Sequence, residues 1–345
     1  MSAPIESAPP TTPRGRSDAT VRAVVQREYG TDPATVLRVD RVPEPRPGDD
    51  DVLVRVHAAS LDRGTWHLMT GLPWVGQLVT GLRRPRALNP GRAFAGTVEQ
   101  LGANVTGLRL GDEVYGTAAA AFTELVVARA RRVALRPRSV SMEAAAATTI
   151  SGPTALQAVR DRAKVAAGDR VLVLGAAGGV GSFALQIAKA RGAEVTGVCS
   201  AAKVDLVRSL GVDRVIDYAT ADLDDTGLYD VILDTGGLRP LSVLRRLLTP
   251  RGRLVIVGGE GGDRWLGGVD RQLRASLLSP FVRQTLGSFI ASENAPDLDI
   301  LRNLIDGGQV APAVDRAYPL DDVAAAMQHL VDGRTRGKVV LTVTS

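Results

Sequence analysis

One segment constrains this chain more than any other: VLVLGAAGGVGSFALQIAKARG, residues 171–192. An apolar run with strand character leads into Ala176-x-Gly178-x-x-Gly181, and a helical run follows at once. In such a turn the glycines have separable tasks. Gly178 lets the backbone approach a pyrophosphate, and Gly181 lets the helix pack on the strand. Gly179 and Val180 complete the turn, and the helix N-terminus offers N–H groups and positive dipole to phosphates. A second strand-like run, EVTGVCS, begins about 20 residues further on, the context that this motif demands. The segment therefore reads as the first β–α–β unit of a doubly wound parallel sheet that binds a dinucleotide.

The end of the second strand selects the dinucleotide. An NAD site places Asp or Glu there to hold the ribose hydroxyls. Here the residues are Val198, Cys199, Ser200, Ala201, Ala202 and Lys203, with no acid. Ser200 and Lys203 can donate to a 2′-phosphate instead. Each charge-assisted hydrogen bond contributes about 1.5–3 kcal/mol, so the two favour NADPH over NADH by about one or two orders of magnitude. The competing account of Lys203 is a surface lysine opening a helix, although a helix N-terminus without an anionic partner is a poor place for a cation.

Around this unit the texture is uneven. Residues 21–60 and 91–135 read as short alternating strands broken by Pro and Gly, a β-rich, barrel-like pattern. From Ser141, a plausible N-cap with Glu143 in the first turn, strands and helices alternate. RVLVLG, EVTGVCS, RVIDY, DVILDTG and RLVIVGG are strands with near-continuous apolar faces. Thr235 and Gly258, at the ends of the last two, join the cofactor-site candidates. Segment 261–286 breaks the rhythm with a Gly-rich start and amphipathic helix, and GSFIAS reads as the last strand of this sheet. Helices PDLDILRNLIDGG and LDDVAAAMQHLVDG and strand KVVLTV return to the first domain.

Composition excludes other classes. The 45% hydrophobic and 23% charged residues fit a globular core, and no apolar run is long enough to span a bilayer. The net charge of +5 is spread among interleaved acids, so RGR and GLRRPR read as solvated surface rather than a nucleic-acid patch. One cysteine, Cys199, and three histidines, His57, His67 and His329, exclude an internal disulfide and a four-cysteine zinc site, and fit a reducing cytoplasm. Residues 1–20 carry no apolar signal core and read as a disordered tail.

The succession GRAFAGTVEQLGANVTGLRLGDEVYG, AAAATTISGPTALQAV, the AAGGVG turn, VIDY and RGKVVLTV resembles the medium-chain dehydrogenase/reductases over nearly all of residues 21–345. AAGGVG and GKVVL are similar to the zinc-free quinone oxidoreductase branch. The resemblance implies an α/β chain of two domains. A GroES-like β-rich domain comprises 21–149 and 294–345, and a Rossmann NADPH-binding domain comprises 150–293. The cleft between them is implied to take NADPH and a quinone or enone, and the protein to be a homodimer joined at the GSFIAS edge. Zinc-dependent members carry Cys, His and Glu where this chain has Ser60, Arg92 and Ala93. The resemblance also places Thr154, with Gly152 beside it, near the nicotinamide, against the alternative that Thr154 is a helix N-cap. It places Tyr218 and Arg336 near the adenosine phosphate, against the alternative that both are merely solvated.

At the reacting end, HAASLDRGTWHLMTG puts Asp62 where many quinone reductases carry Asn, and His67 where several carry Tyr. Hydride transfer builds negative charge on a carbonyl oxygen, and without zinc a hydrogen-bond donor must stabilise it. His67 can donate, with an ordinary imidazole pKa of about 6.5, and Asp62 can orient a donor or a water. The alternative for His67 is an exposed helical histidine packed on Trp66 or Leu68. The expected function is a zinc-independent NADPH-dependent quinone or enone reductase. The alternatives are an enoyl or enone reductase of a biosynthetic pathway, and an NADPH-binding protein with little turnover or a non-redox role.

Overall fold

The computed structural model describes residues 19–220, 223–258 and 264–343. The expected tail at 1–20 lies almost wholly outside the described residues, as does 261–263 of the Gly-rich segment.

Strands β1 (Thr20–Val25) and β2 (Arg38–Pro43) form an antiparallel pair. The larger N-terminal sheet is built from β3 (Asp51–Leu61), β4 (Ala93–Leu101), β5 (Glu113–Thr117), β6 (Leu125–Arg129) and β7 (Val133–Leu135). The second sheet holds β8 (Arg170–Leu174), β9 (Glu194–Cys199), β10 (Arg214–Asp217), β11 (Tyr229–Asp234), β12 (Leu248–Ile256) and β13 (Thr285–Ser288). The last two strands, β14 (Val314–Pro319) and β15 (Lys338–Thr342), rejoin the first sheet, where β15 lies antiparallel to β3.

The second sheet is parallel throughout and runs β10-β9-β8-β11-β12-β13. That is the strand order of a doubly wound dinucleotide-binding sheet, with its reversal beside β8. Helices cover both faces, which is why β8 and β11 are apolar without alternation; Val171, Leu172, Val173, Val231, Ile232 and Leu233 are fully buried. One apolar cluster fills each face. A third fills the barrel-like sheet and includes Val339, Leu341 and Val343 from the chain's end, so that sheet is completed from the far end of the sequence.

Ser141 caps the helix Met142–Thr148, its side chain accepting from the Ala144 N–H, as the sequence predicts. The alanine run behind it has a packing reason. Ala145, Ala146 and Ala147 are fully buried against Ala58 and Ala95 of β3 and β4, and only small side chains allow so close a helix–sheet approach. One element differs from expectation. The final strand is TLGS rather than GSFIAS: pairing with β12 runs Arg253↔Thr285 to Ile256↔Ser288 and then stops, leaving Ile290 exposed beyond the edge. The strand is shorter because its partner ends at Ile256. Among the described residues no helix is long and apolar enough to cross a membrane.

Candidate active site

A cleft of about 880 Å³ lies at the carboxyl ends of β8, β9, β11 and β12. Asp62, His67 and Lys338 of the other sheet's domain close it from the opposite side. Open α/β sheets bind ligands at this place, where the strand order reverses.

The phosphate turn is built by sterics. Gly175 has φ +77°, a left-handed conformation that favours glycine. A Cβ on Gly181 would stand 2.2 Å from the Gly175 carbonyl oxygen, so no side chain fits between helix and strand. Gly178 is the N-cap of the helix Gly179–Ala190 and no side chain caps it, leaving the first turn open to the cleft. At Gly179 a Cβ would meet Lys338 Cδ at 2.8 Å and Ser151 Oγ at 2.9 Å, so this glycine makes room for the lysine stem. Gly179 and Val180 line the cleft. Ala176 is wholly buried and faces the sheet, where it would meet a Cβ on Gly197 at 3.1 Å. Gly152 also stands apart from the cleft, turned toward Leu301, and is a packing glycine rather than a cleft residue.

At the adenosine end, Ser200, Lys203 and Tyr218 line the cleft together. Lys203 Nζ donates to the Gly333 carbonyl at 2.8 Å. Burial pulls its pKa down, and neighbouring Arg336 pulls the same way, while Asp315 and Cys199 oppose them. Asp315 is itself engaged with His329 at 2.7 Å. Arg336 is exposed and does not itself line the cleft, and Tyr218 is 54% exposed. No acid follows Cys199 at the end of β9, and Lys203 stands there in the cleft wall. Thr235 Oγ donates to the Leu174 carbonyl at 2.7 Å, tying β11 to β8. A Cβ on Gly258 would come within 2.4 Å of the Thr235 carbonyl, so glycine is required there for the two loops to meet. The turn fits the pyrophosphate of a nicotinamide dinucleotide.

The reacting end is assembled from distant segments. Asp62 is the N-cap of the helix Arg63–Thr70, its Oδ1 accepting from the Thr65 N–H at 2.9 Å while Thr65 Oγ accepts from the Asp62 N–H, a reciprocal capping box. His67 lies in that helix, half-buried, its ring 5.1 Å from Trp66 in an edge arrangement. Its Nδ1 is 2.7 Å from the Leu72 carbonyl, which only accepts, so Nδ1 carries the proton. In the neutral ring Nε2 is then an acceptor, and His67 can donate through Nε2 only as imidazolium. Thr154 is not an N-cap: it lies inside the helix Ser151–Gln157, donates to the Ile150 carbonyl at 2.7 Å and lines the cleft.

Sequence reasoning missed Lys338. It is 3% exposed, its Nζ stands 4.0 Å from Asp62 Oδ2, and neither atom has a hydrogen-bond partner. Burial lowers its pKa and Asp62 opposes the shift. The signal was available: one of only four lysines opens a strand, KVVLT, whose next three residues are all apolar, a position from which a cation cannot easily reach water. Segments 62–90 and 261–286 also meet. The Trp74 N–H donates to the Arg264 carbonyl at 2.8 Å, the Val75 N–H to the Trp265 carbonyl at 3.1 Å, and the two indoles stack edge-on at 4.7 Å. This strap joins the substrate loop to the second domain.

At the positions corresponding to zinc ligands, Ser60 and Ala93 are cross-strand neighbours in β3 and β4, and Arg92 is paired with Glu293 at 2.6 Å. Among the described residues no three His, Cys, Asp or Glu side chains converge.

Comparison with known proteins agrees with this architecture. The family model for the alcohol dehydrogenase GroES-like domain matches residues 48–138, and that for zinc-binding dehydrogenases matches 210–341. The chain is 32% identical to the mitochondrial NAD(P)H oxidoreductase RTN4IP1 of Mus musculus, over 85% of this chain and 82% of that protein. It is 29% identical to the 2-methylene-furan-3-one reductase of Solanum lycopersicum, over 91% of this chain and 77% of that protein. Among solved structures, the quinone oxidoreductase from Coxiella burnetii superposes with a TM-score of 0.81 at 25% identity, covering 94% of this chain and all of that one. The chain belongs to the medium-chain dehydrogenase/reductase family, in its quinone oxidoreductase-like branch. It is an oxidoreductase that uses a nicotinamide cofactor.

Proposed function

We propose that this protein is a zinc-independent, NADPH-dependent reductase of quinones or other conjugated carbonyls. The observation that carries the reading is Lys203, which lines one cleft with the phosphate turn just beyond β9, where no acid stands to take the ribose hydroxyls. The turn from Gly175 to Gly181 would hold the pyrophosphate, and Ser200, Lys203, Tyr218 and Arg336 the 2′-phosphate. Thr154, Thr235 and Gly258 would border the nicotinamide half. When bound, the reduced nicotinamide supplies a hydride. The chain's part is to orient the acceptor in the cleft and meet the charge that develops on the carbonyl oxygen. His67 as imidazolium would do the last.

Ser60, Arg92 and Ala93 support a reaction without zinc, since none of them is a ligand of the His/Cys kind that catalytic zinc takes. Chelators should leave turnover intact, and one zinc per purified chain would contradict this part. The reading also includes a homodimer joined at β13, where Phe281 and Ile290 are 85% and 96% exposed beside an unpaired strand edge. The single, buried cysteine accords with a cytoplasmic protein. The decisive experiment follows NADPH and NADH oxidation with a panel of quinones and enones. Quinone turnover with NADPH preferred supports the proposal. Turnover of enones alone favours an enone reductase of a biosynthetic pathway; the relative from Solanum lycopersicum is itself named a 2-methylene-furan-3-one reductase. Binding without turnover of any acceptor overturns it.

A further inference from the structure

We propose that Asp62 and Lys338 form a proton-holding pair, in which Asp62 faces the acceptor and delivers the proton that completes its reduction while Lys338 refills Asp62 from behind. The inference rests on the reductase reading above and adds the source of the proton.

Four buried side-chain atoms among the described residues lack a hydrogen-bond partner, and two of them are Asp62 Oδ2 and Lys338 Nζ. They carry opposite charge, stand 4.0 Å apart and belong to residues lining the same cleft. That separation is longer than a hydrogen bond, so the ion pair leaves both atoms without a hydrogen-bond partner. The Asp62 side chain is 15% exposed and that of Lys338 3%, so Asp62 is the outer residue of the two, although Oδ2 and Nζ are both buried. Asp62 Oδ1 is held by the Thr65 N–H, which leaves Oδ2 as the free oxygen.

The surroundings make this proton transferable. The pair holds one dissociable proton, written either as ammonium with carboxylate or as amine with carboxylic acid. Burial penalises the charged form and brings the two closer in energy. Asp62 is the one charged group that acts on Lys338. The residues facing it from the phosphate-turn helix, from the helix Ser151–Gln157 and from β14 are Gly179, Ser151 and Val314, all uncharged. His67, the other titratable group of this wall, presents an acceptor nitrogen when neutral.

The step balances. The acceptor gains a hydride and becomes an enolate or quinol anion. The O–H bond of the Asp62 carboxylic acid breaks, and a C–H bond forms on the enolate or an O–H bond on the quinol. The product leaves neutral, and the pair remains as carboxylate and amine. Lys338 then regains a proton from water when the cleft opens.

The test starts with the free protein. The chain has only four lysines, Lys164, Lys189, Lys203 and Lys338, so ¹³Cε-lysine labelling gives few signals and Lys338→Met assigns one by its loss. The signal of Lys338 is expected to titrate well below those of Lys164 and Lys189, and lower still in Asp62→Asn, where its counterion is gone. Asn is as good an N-cap as Asp, so that variant keeps the helix. With a working acceptor, kcat should fall along an alkaline limb that follows the Lys338 titration, and Asp62→Asn should lose about 10²-fold, the usual scale for a proton-transfer group. A Lys338 that titrates with the exposed lysines, or an Asp62→Asn variant with kcat within threefold of wild type, overturns the pair alone. A wild type that reduces no acceptor overturns the reductase reading, and the delivery step with it.

Discussion

The two ends of the cleft are made differently. At the phosphate end, contiguous residues do the work: Gly175 to Gly181 form one turn, and Ser200 and Lys203 follow the next strand. At the reacting end, Asp62 and His67 come from one segment, Thr154 from a second and Lys338 from the last strand of the chain. A site encoded by one local turn is fixed by backbone sterics. A site assembled from remote segments depends on how two sheets are completed. The first should therefore break all at once, and the second by degrees.

The largest effect is expected at Gly181. Its added Cβ would stand 2.2 Å from a backbone oxygen that cannot move without moving β8. Gly181→Ala should abolish detectable NADPH binding by fluorescence titration and sharply reduce soluble yield. A variant that folds and binds normally would show that the turn is not fixed by sterics, and the contrast would fail.

At the other end, His67→Ala should lower kcat about 10²-fold, the scale of a lost oxyanion donor, and change KM less, since the donor acts mainly in the transition state. Steady-state kinetics of the variant against wild type check this. A kcat within about twofold of wild type would make His67 a packing residue of the wall.

A smaller effect sharpens the comparison within the phosphate end. Lys203→Ala should weaken NADPH about 10- to 100-fold, the range of one or two charge-assisted hydrogen bonds, and leave NADH nearly unchanged. Paired titrations of both cofactors decide it. Equal loss for both would mean that Lys203 serves the fold through its bond to the Gly333 carbonyl rather than the phosphate.

This difference in construction also set what could be read in advance. The turn, the absence of an acid after β9 and the strand–helix alternation are local patterns, and the parallel sheet follows from them. The shift from GSFIAS to TLGS was not legible, because it depends on where β12 ends. Gly152 and Ala176 lie in the right segments and face away from the cleft, since sequence spacing does not give direction. Lys338 was legible as an oddity of a buried strand, but its partner lies 276 positions away, and only the antiparallel pairing of β15 with β3 brings the two together.

The smallest effect concerns stability and has the opposite sign. Lys338 is a buried cation with one counterion at 4.0 Å, an arrangement that costs more in desolvation than it regains. The double variant Asp62→Asn/Lys338→Met keeps the volume of both side chains and removes both charges, so the cofactor-free protein should melt higher, by about 1–4 kcal/mol in stability. The pH dependence follows from the direction of the shift. Burial lowers the folded-state pKa of Lys338 below its unfolded value, so between the two the unfolded chain binds more protons. Wild-type stability therefore gains from Lys338 as pH rises through that window, and a methionine gains nothing. The advantage of the variant should be greatest below the folded-state pKa and should close as pH approaches the ordinary lysine value of about 10.4. Melting curves of both proteins across this range, without cofactor, measure it. A variant that melts lower, or a gap that stays constant with pH, would mean that the lysine is solvated after all, and that the reacting end is no more strained than the phosphate turn.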